Sequence, residues 1–229
     1  MADEIQAVLK HGDDVVETAT YTAKEYLDGL IADAALYSAD VIVLGKAIKN
    51  YGSYVQPVLA EENGWEINVD HAKMDSVDAY AESDFETVRT AVAGHEIVKD
   101  IEGTGVSKVE YPLYLNAETT IEVLLTPESG KSISNVKVNG GDNGAEIEGG
   151  VYRVQIAGIS AHKLGNVYTI TGNAGDDKDF TVKVSALSYV QGALNDTQST
   201  VEMKCAVTSL YKYYDATMTY REHRPNEYQ

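Results

Sequence analysis

One short passage occurs twice in this chain, and that duplication constrains the fold more than any other feature. Tyr21-Thr-Ala23-Lys-Glu-Tyr26-Leu27-Asp-Gly29-Leu30-Ile31 returns as Val184-Ser-Ala186-Leu-Ser-Tyr189-Val190-Gln-Gly192-Ala193-Leu194, shifted by 163 residues. Ala47-Ile48-Lys-Asn-Tyr51-Gly-Ser returns as Ser209-Leu210-Tyr-Lys-Tyr213-Tyr-Asp, shifted by 162. Two segments that keep their order and spacing point to duplicated structure, so both copies should obey one set of local rules.

Those rules read as two helices in each copy. Ala23, Tyr26, Leu27, Leu30 and Ile31, and again Ala186, Tyr189, Val190, Ala193 and Leu194, fall on one helical face. A second stripe follows: Val41, Leu44, Ile48, Tyr51 and Val55, then Met203, Val207, Leu210, Tyr211, Tyr214 and Met218. Pro57 and Pro225 stand near the ends of these segments, where helices stop. Each copy therefore predicts a helical hairpin with buried tyrosine rings, Tyr26 matching Tyr189 and Tyr51 matching Tyr213. Ahead of each pair lies an extended–turn–extended pattern. Residues 5–9 and 15–21 flank His11-Gly12-Asp13-Asp14, and residues 167–171 and 180–184 flank the turn 173–179.

Between the copies the pattern changes twice. Residues 60–105 are acidic and weakly patterned, with one short helix predicted around Asp84–Ala93, and read as a surface connector. From Val106 to Val184 the period is two: Val109, Tyr111, Leu113, Leu115; Ile121, Val123, Leu125; Val136, Val138; Tyr152, Val154, Ile156. Turn clusters at residues 127–130 and 139–144 separate these runs. The expected class is α+β: an antiparallel, Ig-like β-sandwich followed by a helical hairpin, preceded by a truncated hairpin-plus-helices repeat. The expected boundaries are 1–60 for the truncated repeat, 61–105 for the connector, 106–222 for sandwich plus helices, and 223–229 for a tail. The first hairpin lacks its sandwich and needs cover, which Trp65, Ile67, Val69, Phe85 and Val88 of the connector are expected to supply in part.

Charge narrows the choice of partners. Thirty-six acidic residues against 18 basic ones give −18, which repels phosphate backbones and anionic lipid heads. Nucleic acid and membrane insertion are thereby disfavoured, and no apolar run approaches the ~20 residues of a membrane span. The lone Cys205 excludes an intrachain disulfide and a cysteine-based metal site, and its place on a helical stripe reads as a small buried hydrophobe. Met1-Ala2-Asp3-Glu4 is not a secretory leader, so if the parent protein is exported this chain is a piece of it.

Motif by motif, chemistry is sparse. Gly130-Lys131-Ser132 ends like a phosphate-binding loop, but Leu125 stands where the motif needs its first glycine, and the segment lies between strands. His11, His71, His95, His162 and His223 show no zinc-binding spacing. Ser160 and His162 follow Gly158, yet a nucleophile elbow needs glycine where His162 stands. Asp176, Asp177 and Asp179 crowd oxygen ligands into one turn, a weak calcium candidate without the spacing of an EF-hand loop. Sixteen tyrosines against two phenylalanines and one tryptophan remain. Trp65, Tyr80, Tyr114 and Tyr152 are the candidates for exposed rings that stack on sugars. No motif calls for a cofactor.

The passage Val154-Gln-Ile156-Ala-Gly-Ile159-Ser-Ala161-His-Lys-Leu164-Gly-Asn-Val-Tyr168-Thr-Ile170, with Val184-Ser185-Ala186-Leu187-Ser188-Tyr189 and the tyrosine-rich last helix, resembles a module of secreted clostridial surface proteins. Such proteins occur in anaerobic Gram-positive bacteria of gut and rumen and sometimes bear dockerins or adhesion repeats. Tyr21-Thr-Ala-Lys-Glu-Tyr26 and Lys46-Ala47-Ile48-Lys49-Asn50-Tyr51-Gly52-Ser53-Tyr54 resemble the helical pair closing an upstream unit of that type. The resemblance implies a non-catalytic extracellular module of a larger surface or cellulosome-associated bacterial protein, acting in adhesion, spacing or protein interaction. Its implied partners are other modules of the parent, cell-wall or plant and host glycans, and host proteins. The alternative is a carbohydrate-binding module using exposed tyrosine and tryptophan. The motifs are packing motifs, and no catalytic residue comes with them.

Overall fold

In the computed structural model, residues 4–59, 80–115, 119–175 and 178–224 are described. Strands β1 (Glu4–His11) and β2 (Asp14–Thr22) pair antiparallel around a turn that needs Gly12, at φ +65°. Thr22 then starts α1 (Ala23–Ala32) with a reciprocal cap: its hydroxyl accepts the Glu25 N–H at 3.1 Å, and the Glu25 carboxylate accepts the Thr22 N–H at 2.8 Å. α2 (Ala39–Leu59) packs on α1 at Gly45, where a Cβ would lie 2.8 Å from the buried Leu30 side chain.

The next described elements are α3 (Glu82–Ala91), β3 (Val98–Asp100), β4 (Val106–Glu110), β5 (Leu113–Leu115) and β6 (Thr119–Pro127). After them come β7 (Ile133–Val138), β8 (Gly141–Asp142), β9 (Ala145–Glu146) and β10 (Tyr152–Ile156). The second copy supplies β11 (Tyr168–Ala174), β12 (Lys178–Val184), α4 (Ala186–Asn195) and α5 (Val201–His223). One antiparallel sheet runs β4-β6-β10-β9 with β5 also on β6, and the other runs β3-β12-β11-β7-β8. Each buries one face. Val109, Leu113, Ile121, Val123, Leu125 and Val154 do so in the first sheet, and Ile133, Ile170, Phe180, Val182 and Val184 in the second. The fold is thus α+β with antiparallel sheets.

Backbone geometry repeats along with the sequence. The bounds of α1 and α4 differ by 163 at both ends, and α2 and α5 begin 162 residues apart. Ile5 sits opposite Tyr21 in the first hairpin, and Tyr168 opposite Val184 in the second, again shifted by 163. Gly12 and Gly175 take the same left-handed conformation in the two turns, and Ser185 caps α4 as Thr22 caps α1. Side-chain environments diverge more. Tyr26 is 47% exposed instead of buried, whereas Tyr189 is half-buried and feels Tyr111.

The expected grouping of the elements needs correction. The chain divides into two compact units, residues 1–80 with 201–229, and residues 81–200. These differ from the expected boundaries at 60, 105 and 222. α5 therefore belongs with α1 and α2, not in a hairpin unit with α4. Within its unit it runs antiparallel to α2: Asp40 at the start of α2 bonds Arg224, just past α5, at 2.5 Å, and the Tyr51 and Tyr213 rings stack at 5.1 Å. Those two tyrosines are the matched pair of the repeat, so α2 and α5 meet about a local pseudo-two-fold at equivalent residues. α5 is also buried all round from Cys205 to Leu210, where the sequence predicts a single stripe.

Two further readings change. From residue 81 onward the expected connector belongs to the core: Phe85, Val88 and Val92 are buried, Arg89 donates to the Leu194 carbonyl at 3.0 and 3.2 Å, and β3 pairs with β12. Phe85 and Val88 therefore serve unit 81–200; Trp65, Ile67 and Val69 lie outside the described residues. The run Val109–Leu115 is broken, because Pro112 has no N–H to give the ladder. β4 and β5 instead pair with different stretches of β6, and Tyr111 leaves the sheet to lie under the Lys99 ammonium at 5.5 Å.

Candidate functional site

Strand alternation decides which side chains share the outward face of the β5-β6-β10 sheet. In β6 the buried residues Ile121, Val123 and Leu125 alternate with Glu122 and Leu124. Register places Tyr114 opposite Thr120, Gln155 opposite Glu122, and Arg153 opposite Leu124, so Tyr114, Glu122, Arg153 and Gln155 stand on one face. The Tyr114 hydroxyl donates to the Glu122 carboxylate, and the Arg153 guanidinium lies 3.9 Å from the same carboxylate. Burial, then the negative charge and hydrogen bond of Glu122, push the Tyr114 phenol above its ordinary range. Glu122 is 13% exposed and Arg153 46%, so the ion pair is open to solvent and contributes little stability. Chemically the patch offers one half-buried ring edged by a carboxylate, a guanidinium and an amide, a set suited to hydrogen-bonding a polar, ring-shaped ligand.

The other sequence candidates do not join it. Tyr152 opens β10 opposite Leu125 and shares the face of Val154 and Ile156, so it points the other way from Tyr114. Tyr80 lies in the other unit with the Lys212 ammonium 4.5 Å over its ring, and its hydroxyl takes the Asn50 amide at 3.5 Å. One face of the ring is therefore taken by a cation. Trp65, Asp176 and Asp177 lie outside the described residues. Asp179 accepts the Asn173 amide at 2.6 Å, and Asn173 accepts that of Asn135 at 2.9 Å, a polar ladder across β7, β11 and β12. Among the described residues no three His, Cys, Asp or Glu side chains group as metal ligands.

Two serine–histidine contacts resemble catalytic pairs. Ser185 Oγ lies 3.3 Å from His95 Nδ1, but Ser185 is 1% exposed and its oxygen accepts the Ser188 N–H at 3.1 Å as the cap of α4. Burial holds the His95 imidazole below its ordinary pKa, which keeps it neutral as a packing partner. Ser160 lies 3.3 Å from His162 Nδ1 on an exposed turn. A cleft of about 210 Å³ between Gly103, Glu128, Lys131, Gly175 and Lys178 is small beside the ~300 Å³ at which ligand pockets begin.

Glu122, Arg153 and Gln155 escape sequence reasoning because they come from strands some thirty residues apart, and only register unites them. The face of Tyr152 was readable: it alternates in phase with Val154 and Ile156. No protein-family model matches the chain, and neither does any curated protein or solved structure.

Proposed function

We propose that this chain is a non-catalytic, extracellular module of a larger bacterial surface or cellulosome-associated protein, which spaces or presents its neighbours and engages other proteins. In this reading the two sheets of residues 81–200 close as an Ig-like sandwich; Val136 of one and Val154 of the other both pack at Gly144. The observation that carries the reading is the stacked pair Tyr51–Tyr213. Equivalent helices of the two copies join by side-chain packing, as repeat proteins do between neighbours, and not by a bare linker. Scattering from chains of one, two and three copies in tandem tests it. A spacer gives a maximum dimension that grows by a fixed increment per copy; growth with the square root of copy number defeats the reading.

A second reading, carbohydrate binding, is favoured by one observation: the shared face of Tyr114, Glu122, Arg153 and Gln155. Saturable binding to a plant-polysaccharide or glycan array, weakened about ten-fold by Tyr114→Ala, supports it. Binding unchanged in Tyr114→Ala removes this face from consideration.

A further inference from the structure

Asparagine followed by glycine occurs three times in the chain: Asn63-Gly64, outside the described residues, Asn139-Gly140 and Asn143-Gly144. Asparagine is a labile residue, and a following glycine makes it more so, because no Cβ hinders approach of the next backbone nitrogen to the side-chain carboxamide. The two described pairs flank β8, and the fold holds them in opposite ways.

Asn139 is tied to β11 at both ends. Its N–H donates to the Thr169 carbonyl at 2.8 Å, and its Oδ1 accepts the Thr169 N–H at 2.9 Å. Its carboxamide therefore serves the neighbouring strand, and must give up that bond before it can react with Gly140. Asn143 turns its carboxamide back on its own successor. The Gly144 N–H donates to Asn143 Oδ1 at 2.6 Å. Since Cγ lies one C=O bond, about 1.2 Å, from that oxygen, it is less than about 4 Å from the Gly144 nitrogen, close to the ~3–3.5 Å of a near-attack arrangement. The backbone around the pair is fixed. The Asn143 N–H donates to the Val136 carbonyl at 3.0 Å, and a Cβ at Gly144 would meet Val136 at 3.0 Å and Val154 at 3.4 Å. Both residues are exposed, so water and hydroxide reach them.

We propose that Asn143 is a site of spontaneous backbone-assisted modification, converting to aspartate and isoaspartate through a succinimide. The Gly144 nitrogen gives its proton to solvent base and attacks Asn143 Cγ. The bond from Cγ to Nδ2 breaks, and ammonia leaves with a proton from water. Water then opens the five-membered ring at either carbonyl, so the net change is one water taken up and one ammonia released. The product adds a negative charge beside Asp142. As isoaspartate it also adds a methylene to the main chain where it crosses from β8 in one sheet to β9 in the other, with Gly144 seated against Val136 and Val154.

The test is to age the full chain in warm, mildly alkaline buffer, folded and in denaturant, and to digest it with trypsin. Cleavage after Lys137 and Arg153 releases residues 138–153, which carry both described pairs in one peptide. Fragment masses locate the exchange of NH2 for OH, and hydroxylamine cleavage between Asn143 and Gly144 reports the succinimide. In the folded chain Asn143 should convert ~10-fold or more faster than Asn139, the advantage of a reacting pair already held together. In denaturant the two should convert at similar rates. Equal rates in the folded chain, or faster conversion of Asn139, would overturn the proposal. An Asn143 preference that persists undiminished in denaturant would overturn it too, because the fold would then contribute nothing.

Discussion

Gly172→Ala is the substitution whose cost the structure defines most sharply. The new methyl would stand 2.6 and 2.8 Å from Cζ and Cε1 of Phe180 and 3.0 Å from the Ser134 carbonyl. Phe180 is 1% exposed, so its ring has no free direction to retreat. Overpacking of this kind costs about 1–3 kcal/mol, and alanine's lower backbone entropy returns about 0.5–1 kcal/mol. The net expectation is a loss of about 1–2 kcal/mol. Phe180→Leu alone should cost about 1 kcal/mol, because it leaves a partial cavity. Combined, the two changes should cost less than Phe180→Leu alone plus Gly172→Ala alone, since the smaller side chain vacates the space that the methyl needs. Calorimetry on the full chain, with the transition assigned by amide exchange in β11 and β12, gives all corners of the cycle. Strict additivity would refute the ring-over-glycine reasoning.

Other consequences are simpler. The Thr208 hydroxyl is fully buried without a hydrogen-bond partner, so isosteric Thr208→Val should stabilise by about 1 kcal/mol in denaturant titration; a loss of stability would mean that the hydroxyl is satisfied. Burial lowers the folded His95 pKa below 6.5, so its contribution is complete above that pH and declines as pH falls toward the folded value; His95→Gln should flatten this part of the stability–pH curve. The Ser38 hydroxyl and then the Arg224 guanidinium hold the Asp40 carboxyl well below 3.8, so stability from this pair persists above that pH and is lost in stronger acid. Arg224→Ala should reduce that acid dependence, and an unchanged curve would count against the pair.

Local structure was legible in the sequence, whereas long-range partnership was not. The period of Leu27, Leu30 and their counterparts, and the turn clusters at 11–14 and 173–179, are short-range signals, and they mark the helices and hairpins of both copies. The partner of α5 is a different matter. Its tyrosines suit the faces of several helices, and the choice of α2 over α4 rests on contacts some 160 residues apart in the chain. Separation along the chain also hid the fate of Tyr80, whose ring is taken by Lys212, and the gathering of Tyr114 and Glu122 with Arg153 from a strand some thirty residues on. The acidity of residues 60–105 masked the buried face of α3, because three apolar residues at helical spacing suffice to anchor one short helix: Phe85, Val88 and Val92.

The central claim is that the chain holds two copies of one structure, joined where their equivalent helices meet. A double-mutant cycle on Tyr51→Ala and Tyr213→Ala tests it most directly, because this pair unites the sequence match with a physical contact. The account predicts that each single change destabilises and that the two couple favourably by about 0.5–1.5 kcal/mol, as stacked rings do. Two additive losses, with no coupling beyond error, would contradict it.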